Sequence, residues 1–134
     1  MGIVADTSVL AAVVLGEDDA EALAGVLLQE AGDVHVGAAT FLEAGIVLHS
    51  RQGEAAVADL RLLLNSIGAR TVPFDEEQAE LALAAWRRFG KGRHPAALNY
   101  GDCMAYALSK RLGLPLLYKG EDFGLTDVSA RAVS

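Results

Sequence analysis

Residues 98–112, LNYGDCMAYALSKRL, decide how this chain is read. Met104, Ala107, Leu108 and Leu112 recur at helical spacing, which predicts an amphipathic helix packed against a sheet. Asp102 stands in the first turn of that helix, outside the apolar set. The helix macrodipole alone favours an acid there, so a functional role requires partners from elsewhere. Three other segments each offer one acid: Asp6, Glu43 and Asp122.

The segments around this helix alternate in kind. Residues 2–5 form an apolar run with β-branched Ile3 and Val4, a buried strand that ends in Asp6-Thr7-Ser8. A short helix over 9–15 follows, with Thr7 or Ser8 as its cap. After a break at 16–19 comes a second helix over 20–30, then a strand over 34–38. Thr40 and Glu43 match the S/T-x-x-E capping box of a third helix, which is expected to stop near Gly53. A helix over 54–65, a strand over 71–74 and a helix capped by Asp75 and running to Arg88 come next. Two glycines and a proline make 90–95, GKGRHP, a loop. Beyond the 98–112 helix, 114–118 reads as a strand, 119–123 as an acidic turn and 128–133 as a last short strand.

This alternation predicts an α/β fold: one domain over residues 1–134, with a central, mainly parallel sheet between helical layers. In such folds sites form beyond the carboxyl ends of the strands. Asp6, Glu43 and Asp122 follow strands, and Asp102 reaches the same edge if its helix starts there.

Composition narrows the chemistry. The 134-residue chain is 52% hydrophobic with a formal net charge of −7, so charge alone does not attract nucleic acid. Carboxylates converging on one edge repel one another unless a cation neutralises them. Mg²⁺ or Mn²⁺ takes oxygen ligands and would let an acidic site meet a phosphodiester. Each acid also has an ordinary role: strand-end turn for Asp6, capping box for Glu43, helix dipole for Asp102, turn for Asp122. Their joint position carries the functional reading. Arg87, Arg88, Lys91 and Arg93, with Lys119, are candidates for a phosphate-guiding rim beside the acids, although basic residues also suit a helix C-terminus. The three histidines lack zinc spacing, and no Gly-rich nucleotide loop is present. Cys103 is the only cysteine, so no intramolecular disulfide forms and a reducing, cytoplasmic setting is expected. Residues 1–19 are apolar but lack a basic leader and read as core, not as a signal peptide.

At these positions the sequence resembles the PIN domains. Val4-Ala5-Asp6-Thr7-Ser8-Val9-Leu10 is similar to their opening motif, and Glu43 to their second acid. Residues 99–107, NYGDCMAYA, are similar to the third motif of the VapC-type toxin branch, and residues 117–123, LYKGEDF, to the fourth, where Glu121 stands in place of the commoner Asn. The resemblance implies a three-layer α/β/α PIN fold and a Mg²⁺- or Mn²⁺-dependent endoribonuclease of a toxin–antitoxin pair. It further implies a homodimer silenced by a cognate VapB-type antitoxin. It places Asp6, Glu43, Asp102 and Asp122 in the catalytic, metal-ligating set, with Thr7 or Ser8 as the supporting polar residue. Two rivals share features. A receiver-type phosphoacceptor domain expects adjacent acids after the first strand, where only Asp6 stands. A PIN fold reduced to a binding module expects lost acids, and all four are present.

Overall fold

The computed structural model describes residues 2–133. Four parallel strands form one sheet in the order β3-β2-β1-β4: β1 (Ile3–Ala5), β2 (Val34–Gly37), β3 (Arg70–Val72) and β4 (Leu116–Leu117). Five helices surround it: α1 (Thr7–Leu15), α2 (Ala20–Gln29), α3 (Ala38–Ser66), α4 (Glu76–Phe89) and α5 (Tyr100–Leu112), and a 3-10 turn spans Asp122–Leu125.

Strand pleating divides the core into two halves. Ile3 and Ala5 of β1, with Val34 and Val36, pack among Leu10, Leu27, Leu48 and Leu60 of α1, α2 and α3. Val4 and Leu116 face the other way, onto Ala85 and Phe89 of α4 and Ala105 and Leu108 of α5. The result is the expected three-layer α/β/α arrangement. The chain steps outward from β1 to β2 to β3 and then crosses to the far side of β1 to lay down β4. The order therefore reverses beside β1, and a crevice at the carboxyl ends of β1 and β4 is the geometric consequence.

The elements differ from expectation at their ends. Thr7 and Ser8 belong to α1, and Asp6 caps it by accepting from the Ser8 amide at 3.1 Å. The helix after β2 begins at Ala38 with Gly37 as its cap, so Thr40 lies buried inside the first turn and the predicted Thr40–Glu43 capping box does not form. The stop near Gly53 is present as a break within α3, where Gly53 adopts φ 72° and ψ −160°. The strand expected over 128–133 is reduced to a single bridge between Leu116 and Ala130. Backbone bonds at its rim, from the Leu116 amide to Ser129 O at 2.8 Å and from the Arg131 amide to Leu116 O at 2.9 Å, hold that segment without extending the sheet. Among the described residues no helix is long and apolar enough to cross a membrane.

The dihedrals of Gly53 lie in a region open essentially to glycine alone. Gly53→Ala is expected to lower stability by about 1–3 kcal/mol, read as a reduced urea midpoint with an unchanged m-value. An unchanged midpoint would mean that the two halves of α3 can join without the break.

Candidate active site

Asp6 leaves the end of β1 and is held in place by the helix it starts. Its Oδ2 accepts from the Ser8 amide at 3.1 Å and from Ser8 Oγ at 2.6 Å. Ser8 Oγ in turn accepts from the Lys119 amide at 3.0 Å, which ties the segment after β4 to the same carboxylate. Glu43, one turn into α3, takes a different partner: its Oε1 accepts from Thr7 Oγ1 at 2.6 Å. Both small polar residues therefore serve the site, Ser8 through Asp6 and Thr7 through Glu43.

Asp102 enters from α5. Asn99 caps that helix by accepting from the Asp102 amide at 2.8 Å, and Asp102 Oδ2 accepts from the Asn99 amide at 3.0 Å. The capping box missing from α3 is thus present here, and Asp102 performs its ordinary structural role while facing the other acids. Gly101 makes the approach possible. A Cβ at that position would lie 2.1 Å from Glu43 Oε2, so a side chain at 101 would force the Glu43 carboxylate out of its present place beside the start of α5.

Three carboxylates thus share one pattern. In each, protein donors engage one oxygen and fix its orientation, and among the described residues the other oxygen has no protein donor. Asp6, Glu43 and Asp102 line an open cleft of about 470 Å³ together with Thr7, Ser8, Asn99, Glu17, Arg51 and Lys119. Asp122, exposed at the start of its 3-10 turn, does not line the cleft, but its charge reaches Asp102. Glu121 is exposed beside it.

The electrostatics are those of crowded acids. Asp6 is 4% exposed. Burial pushes its carboxyl up from 3.8 to about 6 against the opposing Ser8 hydrogen bonds, and Asp102 and Glu43 add repulsion. Burial also raises Asp102, offset by the Asn99 amide and reinforced by Glu43 and Asp122. The set is all oxygen, which suits a hard divalent cation. Among the described residues no three acidic, His or Cys side chains stand close enough to enclose an ion alone. The arrangement therefore fits a cation of the Mg²⁺ type, which takes one or two carboxylates and keeps several waters.

The basic residues fall elsewhere. Arg88 pairs with Asp127 at 3.3 Å and lies over the Phe89 ring, and Arg93 lies over the Trp86 ring at 4.3 Å. Arg87 and Lys91 are exposed, and none of these four lines the cleft. They gather at the end of α4, where the dipole and neighbouring rings already account for them. Lys119 does line the cleft, but Glu17 at 2.5 Å and Asp19 at 3.2 Å engage its ammonium. The sequence reading missed Arg51, Asn99 and Glu17. The Asn99-x-x-Asp102 spacing was a usable signal for one of them, while Arg51 and Glu17 reach the cleft only through the packing of α3 and α1. Burial pushes the Cys103 thiol up to about 11, which leaves it an inert neighbour and not a nucleophile.

Comparison with known proteins gives a consistent result. The sequence matches the PIN domain family over residues 3–128. Ribonuclease VapC of Mycolicibacterium smegmatis is 48% identical over 128 residues, spanning 96% of this chain and 98% of the relative. Ribonuclease VapC30 of Mycobacterium tuberculosis is 42% identical over 132 residues, spanning 98% and 99%. Among solved structures, Mycobacterium tuberculosis VapC20, a Sarcin-Ricin loop cleaving toxin, superposes with a TM-score of 0.80 at 17% identity, covering 97% of this chain and 98% of its own. VapBC2 from Rickettsia felis, bound to a DNA fragment from its promoter, gives 0.74 at 10% identity, with 98% of each chain covered.

The raised Asp6 carboxyl has a thermodynamic signature. Between pH 3.8 and about 6 the folded chain holds a proton that the unfolded chain has released, so stability falls as pH rises through that window. Asp6→Asn removes the titration and keeps an oxygen for Ser8. The variant is expected to gain about 1–3 kcal/mol on the wild type at pH 7.5 and to lose that advantage at pH 4. Urea denaturation of both at the two pH values checks this, and an equal difference at both would exclude it.

Proposed function

Because this chain belongs to the PIN domain family and its relatives are VapC ribonucleases, we propose that it is the toxin endoribonuclease of a toxin–antitoxin pair, hydrolysing RNA phosphodiester bonds with Mg²⁺ or Mn²⁺. The observation that carries the reading is the convergence of Asp6, Glu43 and Asp102, each with one oxygen held by protein and one left for a ligand. A divalent cation held there would polarise the scissile phosphate and offset the charge that develops on its oxygens.

The chain's own residues have separable roles. Asp6 and Asp102 would hold the cation, directly or through water, and it would relieve the burial and the neighbouring negative charge that disfavour both ionised carboxylates. Asp122 adds negative charge beside Asp102 and extends the set toward the solvent side. Glu43, oriented by Thr7, ligates or orients the attacking water. Ser8 keeps Asp6 from turning away and anchors the Lys119 backbone. No covalent intermediate with the protein is required. Three acids lining one cleft suggest how a chain of net charge −7 would meet an RNA: a bound cation, not the protein's net charge, would face the phosphate.

The partners follow from the same surface. A VapB-type antitoxin carrying a basic side chain would occupy the acidic cleft in place of the cation. Beside the cleft, Leu83, Trp86, Tyr100 and Met104 line an apolar groove of about 420 Å³, and Leu42 and Ile46 are exposed nearby, at 61% and 57%. An apolar surface of this kind suits burial against protein, and a homodimer is the assembly proposed for it. A single domain over residues 1–134 and a cytoplasmic setting complete the reading, the latter in keeping with the buried lone thiol of Cys103.

Antitoxin-free protein incubated with total cellular RNA is expected to give discrete fragments with Mg²⁺ or Mn²⁺ and none with EDTA. Asp6→Ala should abolish them, and Asp102→Asn should lower the rate at least about 100-fold while preserving the far-UV CD spectrum. Cleavage that persists in EDTA or in both variants would remove these carboxylates from the reaction. Intact RNA under every condition would favour the binding-module reading.

A further inference from the structure

Arg51 lines the acidic cleft and forms no ion pair among the described residues. The other cation of the cleft, Lys119, is engaged by Glu17 and Asp19. Glu43, Val47 and Arg51 all line the cleft, and they stand at successive four-residue steps along α3. That spacing puts them on one helical face, with Arg51 about 12 Å along the axis from Glu43. The regular helix breaks at Gly53, so Arg51 sits in the last turn before the break. A helix C-terminus favours a basic residue, yet that alone does not select the face shared with Glu43.

We propose that Arg51 binds an RNA phosphate flanking the scissile one, so that the strand runs along the Glu43–Arg51 face of α3. The inference rests on the nuclease reading above and adds a positioning residue to it. An exposed guanidinium offers a planar fork of donors that matches two phosphate oxygens. Arg51 stands two helical turns from Glu43 and pairs with none of the cleft's acids, so it is assigned to where the RNA lies and not to the reacting phosphate. A contact to phosphate carries no base information, so its effect is the same for every sequence.

The test uses the intact protein with Asp102→Asn as the parent, so that RNA is bound and not cut. The probe is a fluorescein-labelled, single-stranded RNA 20-mer pool of random sequence, followed by anisotropy over a range of salt concentrations in Mg²⁺. Adding Arg51→Ala is expected to weaken binding about fivefold to tenfold. It should also reduce the slope of log K against log salt by about 0.7, the value for one lost phosphate contact on a single strand. Arg51→Lys should keep the slope and recover part of the affinity, because it keeps the charge and loses the fork. A purely structural role would shift the melting temperature without changing the slope. Equal affinity and equal slope in parent and Arg51→Ala would overturn the inference and leave the nuclease reading intact. If the parent binds no RNA at any salt, the same titration is run on the wild type with Ca²⁺ in place of Mg²⁺, and absence of binding there too would overturn the nuclease reading, and the Arg51 contact with it.

Discussion

Like charges held at one edge of a parallel sheet are the constraint on which this structure depends. Asp6 is almost fully buried at the end of the central strand, where its ionised form is disfavoured by desolvation and by Glu43 and Asp102. Left unrestrained, such acids would rotate toward water. Donors placed around the edge prevent that, Ser8 for Asp6, Thr7 for Glu43 and the Asn99 amide for Asp102. The same restraints do ordinary work, since two of the three also cap helices. Secondary structure and site are therefore built from the same hydrogen bonds, and the apolar layers on both faces of the sheet offset the electrostatic cost.

Much of this was legible in the residues themselves. Helical spacing and capping signals placed the bodies of the helices, with α3 read as two helices around Gly53, and the order of apolar runs and glycine breaks gave the α/β alternation. Strand ends were not legible. The run 114–118 is apolar throughout, yet only Leu116–Leu117 pair as strand, while Leu114 and Tyr118 pack half-buried against the core without joining the ladder. Thr40 and Glu43 carried the spacing of a capping box, but the helix begins three residues earlier, with Gly37 as its cap, and Glu43 finds Thr7 instead. A local motif lost to a tertiary partner. At α5 the reverse holds, for Asn99 and Asp102 form a capping box outside the Ser/Thr–Glu pattern.

The candidate site divides in the same way. Asp6, Glu43 and Asp102, the acids that line the cleft, were visible because each falls near a strand end or a helix start, where the topology of a parallel sheet directs attention. The division of labour between Thr7 and Ser8 was invisible, since it depends on partners in α3 and beyond β4. The positive charge around 87–93 drew attention because it is contiguous in sequence. In three dimensions an Asp127 ion pair and aromatic rings absorb part of it, and Arg51, isolated in the sequence, comes to the cleft instead.

The missing side chain of Gly101 has a consequence for how such a chain can diverge. Glu43 Oε2 occupies the space that a methyl group on residue 101 would need. The two positions therefore form one heritable unit. A larger residue at 101 displaces the acid at 43 from its present position, and so a change at one position alters the demand on the other. Covariation of this pair across a lineage would record a steric exclusion, not a shared contact with RNA.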